Sequence, residues 1–250
     1  QADAPERVHK MGVTPPPIFP AGNGADALTI NRWAPAVGLT ITRAGMALAG
    51  GETWADGTFI AGIERFNITT GSGNDVLTLH DPLNVTSSSF QGGAGTDRIV
   101  ADYSASGASL DISPNQLGGA NFLMSGVEEL HVSTGAGADS MRGGSGDDIL
   151  NGGGGNDRFW SSTGTDILDG GAGTDHIALD ASAATQNLVF NFAAFRTAAG
   201  ATVNGWTVSN FETFEAWGGS GNDLFDGLDM DGERFLFGGA VIDHVDDRRR

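Results

Sequence analysis

The chain has 250 residues, 40 of them glycine, no cysteine and a formal net charge of −18. That charge argues against a nucleic-acid backbone or an anionic membrane surface as partner, since both need basic patches, and the missing thiols exclude disulfides and thiolate metal sites. With 39% hydrophobic residues the chain is too apolar for a solvated linker, so the glycines are expected to be turns between short buried strands, with divalent cations neutralising the carboxylates.

In chain order, residues 1–20 form a Pro-rich lead-in with no signal peptide at Gln1. A first nonamer, AGNGADALT, begins at Ala21 and is followed by an apolar strand at Leu39-Thr40-Ile41. Residues 44–57 are Gly/Ala-rich and read as loop, and Gly62-Ile63-Glu64-Arg65-Phe66 leads into a second nonamer, TGSGNDVLT, at Thr70. After a stretch carrying Pro82, GGAGTDRIV starts at Gly92, and the strand–loop–glutamate pattern returns as Leu110-Asp111-Ile112, a loop from Ser113 to Gly119, and Gly126-Val127-Glu128.

From Thr134 to Ala178 five nonamers follow in unbroken phase: TGAGADSMR, GGSGDDILN, GGGGNDRFW, SSTGTDILD and GGAGTDHIA. Position four is always glycine, position six always aspartate, and position eight always apolar (Met141, Leu150, Phe159, Leu168, Ile177). The module then recurs as Leu188-Val189-Phe190, a loop from Thr197 to Gly205, and Asn210-Phe211-Glu212, before GGSGNDLFD at Gly218. Beyond Asp223 the pattern decays through Asp229, Asp231 and a last potential ligand, Asp243. One GxGxD in a Gly-rich chain is ordinarily a hairpin turn, but five in phase mark an internal repeat.

The three inserted modules share both edges. The glutamate always stands six residues before a nonamer, and Asp26, Asp97 and Asp175 each stand thirteen residues before the apolar strand. Alternation after the glutamate (Phe66, Ile68; Leu130, Val132; Phe214, Ala216) predicts one buried face running into the turns. The expected organisation is the lead-in at 1–20 and one continuous stack over 21–250, with inserted non-calcium modules at about 39–64, 110–128 and 188–212.

GGAGTDRIV and GGSGDDILN resemble the calcium-binding RTX nonapeptide, GGxGxDxUx, of proteins exported by bacterial type I secretion. The resemblance implies an all-β, right-handed parallel β-roll (a β-solenoid) in which two nonamers make one turn and several Ca²⁺ ions sit between stacked turns. It implies metal-site residues Gly71, Gly73 and Asp75; Gly93, Gly95 and Asp97; Gly135, Gly137 and Asp139; Gly144, Gly146 and Asp148; Gly153, Gly155 and Asp157; Gly164 and Asp166; Gly171, Gly173 and Asp175; and Gly219, Gly221 and Asp223. Ca²⁺ takes six to eight oxygens, so a turn must aim carbonyls inward; glycine permits this and a short aspartate adds the charge.

Strands on the same side recur every 18 residues, which puts Asp139, Asp157 and Asp175 in one column and Asp148 and Asp166 in another. Two stacked carboxylates about 5 Å apart repel by roughly 3 kcal/mol at an effective dielectric of 20, so folding is expected to require calcium. SSTGTD at Ser161 lacks both leading glycines, which predicts a weaker site or a mere turn shared with Gly143 to Asp148. Glu64, Glu128 and Glu212 read as solvated or arginine-paired, and the five tryptophans as packing.

The five histidines are dispersed without an HExxH signature, and there is neither a GxSxG elbow nor a P-loop, so no catalytic centre is expected. No apolar run approaches the roughly 20 residues of a membrane span. The expected protein is a secreted or cell-surface calcium binder of structural type. Its expected partners are calcium, further copies of itself, and a cell surface or polysaccharide. The alternative is the non-catalytic module of a secreted hydrolase, epimerase or toxin.

Overall fold

The computed structural model describes residues 65–79, 87–118 and 122–227 with their side chains, and elsewhere only the backbone of short strands. The lead-in, apart from strands Arg7–His9 and Ile18–Pro20, lies outside the described residues, as do Asp26, Leu39, Glu64, Trp33, Trp54, Asp229, Asp231 and Asp243. Nearly all regular structure is strand, and the protein is all-β. Among the described residues no helix is long and apolar enough to cross a membrane.

The chain divides into two compact units, residues 1–103 with 111–132, and residues 104–110 with 133–250. In the first, strands Arg7–His9, Ala27–Asn31, Arg65–Thr69, Ser88–Gln91 and Phe122–Ser125 pair side by side in parallel. Thr40–Arg43, Val76–His80 and Arg98–Asp102 form a second parallel set. Phe66, Ile68, Leu77, Leu79, Phe90 and Ile99 point inward from these strands and are buried.

In the second unit, Ser140–Arg142, Arg158–Trp160, His176–Asp180, Thr213–Trp217 and Arg234–Leu236 make one parallel set. Ile149–Asn151, Ile167–Asp169 and Trp206–Ser209 make another, and Val189–Asn191, Leu224–Asp226 and His244–Asp246 a third. Three-residue strands expose one side chain either side of the inward one, because successive side chains alternate. Position eight therefore supplies the core: Met141, Leu150, Phe159, Leu168 and Ile177 are each 0% exposed. Burying each contributes about 1.5–3 kcal/mol.

The modules are more structured than the loops expected for them. Asp111–Ser113, Gln116–Leu117 and Phe122–Ser125 form an antiparallel meander, and Ala201–Val203 folds back on Trp206–Ser209. The second hairpin turns at Asn204 and Gly205, with φ of 49° and 93°, the left-handed pair that a tight hairpin requires. A four-residue helix, Phe192–Phe195, is capped by the Asn191 side chain. Phe190, Phe192, Phe195, Phe214 and Phe225 pack around it with ring centroids 4.8–6.4 Å apart, giving this module an aromatic core in place of calcium turns.

Candidate metal centre

The strands deliver each nonamer turn onto the turn of the next same-side nonamer, backbone against backbone. Gly153 (φ 78°) lies over the carbonyls of Thr134 and Gly135, and Gly155 (φ 123°) over that of Gly137, so a side chain at either place would collide with main chain in a left-handed conformation. The same stacking sets Gly93 on Gly71, Gly95 on Gly73, Gly164 on Gly146, Gly171 on Gly153 and Gly173 on Gly155. Gly135 and Gly137 rest on Ser106 and Ala108, and Gly219 and Gly221 on Ala184 and Gln186. Gly144 is half-buried in its turn.

Every position-six aspartate with a described side chain is buried: Asp75, Asp139, Asp157 and Asp223 are 2% exposed, and Asp97, Asp148, Asp166 and Asp175 are 0% exposed. One carboxylate oxygen accepts the backbone N–H of the aspartate in the turn before. Asp157 Oδ1 takes Asp139 N–H at 2.8 Å, Asp175 Oδ1 takes Asp157 N–H at 2.8 Å, Asp97 Oδ1 takes Asp75 N–H at 2.8 Å, and Asp166 Oδ1 takes Asp148 N–H at 3.1 Å. The turn spacing is 18 residues in the dense block and 22 between Asp75 and Asp97.

The other oxygen, Oδ2, turns back over its own nonamer. At position one a Cβ on Gly92, Gly152, Gly170 or Gly218 would meet the carboxylate of Asp97, Asp157, Asp175 or Asp223. The Oδ2 atoms of Asp97, Asp139, Asp157 and Asp175 are buried and accept no hydrogen bond. An ionised oxygen in that position carries a large desolvation cost. Burial raises Asp157 to about 7, aided by the charges of Asp139 and Asp175, while Asp97 and Asp175 rise to about 6, again chiefly through burial.

Asp148 and Asp166 differ. The Ser162 hydroxyl stands 3.2 Å from Asp148 Oδ2 and 2.9 Å from Asp166 Oδ2, and burial raises Asp166 above the usual carboxylate range. The degraded SSTGTD turn thus places a serine hydroxyl against the oxygens that in Asp97, Asp139, Asp157 and Asp175 have no protein donor. In the Asp223 turn the Gly219 N–H reaches Asp223 Oδ2 at 3.0 Å.

Two glutamates missed as site residues join the columns. Glu128 Oε2 accepts the Asp97 N–H at 2.9 Å, and Glu212 Oε2 accepts the Asp175 N–H at 2.8 Å. Each thus takes the place an aspartate of the next turn takes elsewhere while staying half-buried, and Arg98 pairs with the adjacent Glu129. Their fixed six-residue lead on a nonamer was the available signal. At the opposite end of a column leucine replaces aspartate: Leu110 N–H donates to Asp139 Oδ1 and Leu188 N–H to Asp223 Oδ1.

Among the described residues no three His, Asp or Glu side chains gather as a metal cluster. A cation in these turns would therefore be held by single carboxylates and by backbone carbonyls such as that of Gly170 beside Gly152. That donor set is all oxygen and suits a hard ion of flexible coordination, which is Ca²⁺. Of the aromatic residues near the turns, Trp206 is buried and donates its indole N–H to the Ser162 carbonyl, a packing role.

The architecture defines an all-β protein of stacked, oxygen-lined turns. Residues 131–159 and 153–182 match the family model of the RTX calcium-binding nonapeptide repeat (4 copies), so the chain carries RTX calcium-binding repeats across this block. No curated protein and no solved structure matches the chain.

Proposed function

We propose that this chain is a calcium-ordered structural protein of the bacterial exterior, of surface-layer, matrix, filament or adhesin type, whose repeats wind into a right-handed parallel β-roll as they bind several Ca²⁺ ions. It performs no catalytic step. The observation that carries this reading is the set of buried aspartates Asp97, Asp157 and Asp175, whose second oxygens have no protein donor and whose pKa values burial raises to about 6, 7 and 6. A chain that buries like charges in register is self-repelling until a cation joins them. When bound, calcium supplies that positive charge; the chain supplies the cradle of carbonyls and one carboxylate per turn.

Extracellular calcium saturates sites with dissociation constants of about 10⁻⁴–10⁻³ M, so export itself would trigger folding. The absence of cysteine accords with ions, rather than disulfides, as the staples of an exterior protein. Self-association and contact with a cell-surface polysaccharide belong to the same reading.

Circular dichroism in EDTA, in magnesium and in calcium tests it. The expected result is β-structure that appears with millimolar calcium and not with equal magnesium, whose octahedral demand at about 2.1 Å fits a carbonyl-rich cage poorly. A chain equally β-rich in EDTA would overturn the coupling of folding to metal.

A further inference from the structure

The geometry points to Glu128 and Glu212 as carboxylates of two further divalent-cation sites, each completed by a repeat aspartate (Asp97 or Asp175) and a module carbonyl (Gly126 or Asn210). The inference rests on the calcium reading above and extends it beyond the repeats. Asp97, Gly126, Glu128, Asn210 and Glu212 all lie outside residues 131–182, where the family match falls.

Three observations carry it. The first is equivalence of place: the Asp139 and Asp157 amides are received by the carboxylate of the next aspartate, and the Asp97 and Asp175 amides are received in the same way by glutamate, at 2.9 and 2.8 Å. Glutamate reaches one methylene further than aspartate, which suits a segment that lacks the GGxGxD turn. The second is the carbonyl. Inside the block the Gly170 carbonyl faces Gly152; at the column ends the Gly126 carbonyl faces Gly92 and the Asn210 carbonyl faces Gly170. Gly126 and Asn210 reach this pose through left-handed φ of 60° and 56°, and the Asn210 side chain is tied to Asp169 Oδ1 at 2.7 Å.

The third observation is the ligand's own signature. Asp97 and Asp175 are 0% exposed, and the Oδ2 of each has no hydrogen-bond partner although a second carboxylate stands beside it. A structural cap would leave that oxygen stranded next to a like charge, whereas a divalent cation satisfies both groups. The arrangement arises twice, once in each unit. Around the Glu212 site the other charges are Asp169 and Arg196; the Arg196 guanidinium donates to the backbone carbonyls of Gly227 at 3.2 Å and Glu212 at 3.5 Å.

Glu128→Gln and Glu212→Gln separate a ligand from a cap, since glutamine keeps a carbonyl for the aspartate amide but loses the charge. Calcium titration of the full chain by calorimetry, with terbium luminescence as a second readout, is expected to show each variant binding one ion fewer, or one site weakened at least tenfold. Calcium-saturated circular dichroism is expected to stay at wild type in both. Wild-type stoichiometry and affinity in both glutamine variants, with a loss in Asp157→Asn, would overturn this inference and leave the calcium reading standing. A wild-type chain that binds no calcium would overturn the reading itself.

Discussion

Asp157 and Asp166 hold the same place in their nonamers and differ in one partner. In each, Oδ1 accepts a backbone N–H, but Asp157 Oδ2 has no donor while Asp166 Oδ2 has the Ser162 hydroxyl at 2.9 Å. Where the hydroxyl already supplies the hydrogen bond, a cation has less to gain. Asp157→Ala is therefore expected to raise the calcium concentration at half-folding about tenfold, corresponding to the loss of roughly 1.4 kcal/mol or more. Asp166→Ala should shift that midpoint less than threefold while lowering thermal stability by about 1–3 kcal/mol, since it strands the Asp148 amide. Calcium titrations of the two variants followed by thermal melts check this. Equal midpoints would mean that the two columns do not differ as their partners imply.

The column is the element through which these residues act. In the described part of the structure two columns close on a glutamate, at Glu128 and Glu212, and two open on a leucine, at Leu110 and Leu188. Its titration follows from burial: Asp97 and Asp175 are held at about 6 and Asp157 at about 7, above the ordinary value of 3.8. Because the folded values are raised, the protonated acids favour the fold; in the absence of metal that stabilisation is full below about pH 4 and is lost as pH rises through 6–7. Calcium must displace those protons, so its affinity runs the other way. We expect β-content in EDTA to be greater at pH 4.5 than at pH 8, and the half-saturating calcium concentration to fall from pH 5 to pH 8. Dichroism in EDTA at pH 4.5 and 8 measures the first and calorimetry at pH 5, 6, 7 and 8 the second; a calcium midpoint flat from pH 5 to 8 would overturn this linkage.

The same element shows how far the sequence could be read. The phase of the nonamers, the inward side chain at position eight and the partnership of Asp139, Asp157 and Asp175 were legible because a strict period carries them, and a period survives in one dimension. The roles of Glu128 and Glu212 were not: their fixed six-residue lead on a nonamer marks a recurring place, but each acts through a hydrogen bond to an amide 31 or 37 residues away, which that spacing does not reveal. The Ser162 hydroxyl was half legible: the missing glycines announced a different turn, but not that the replacement side chain would sit between two carboxylates. In the module at 188–212, Asn204-Gly205 is a hairpin signal in its own right, obscured by the Gly/Ala-rich stretch around it.

At the scale of the whole molecule the governing quantity is the charge of −18. Without metal it keeps copies apart, over a screening distance of about 8 Å at physiological ionic strength. Each bound Ca²⁺ cancels two negative charges, and does so inside the turns. Stacked parallel strands in general end in edges whose backbone groups invite a neighbour. Ile149 and Ile167, adjacent in register, add an apolar outer strip at 40% and 47% exposure. Once repulsion falls, these surfaces favour contact between copies, so calcium would switch the chain from a dispersed state to an associated one. Light scattering and electron microscopy in millimolar calcium are expected to show assemblies that grow with protein concentration and dissolve in EDTA. If the chain instead stays monomeric at high concentration in calcium, assembly through its own surfaces is excluded. The calcium-ordered turns would then serve as a rigid element for some other partner, because nothing in their chemistry depends on a second copy.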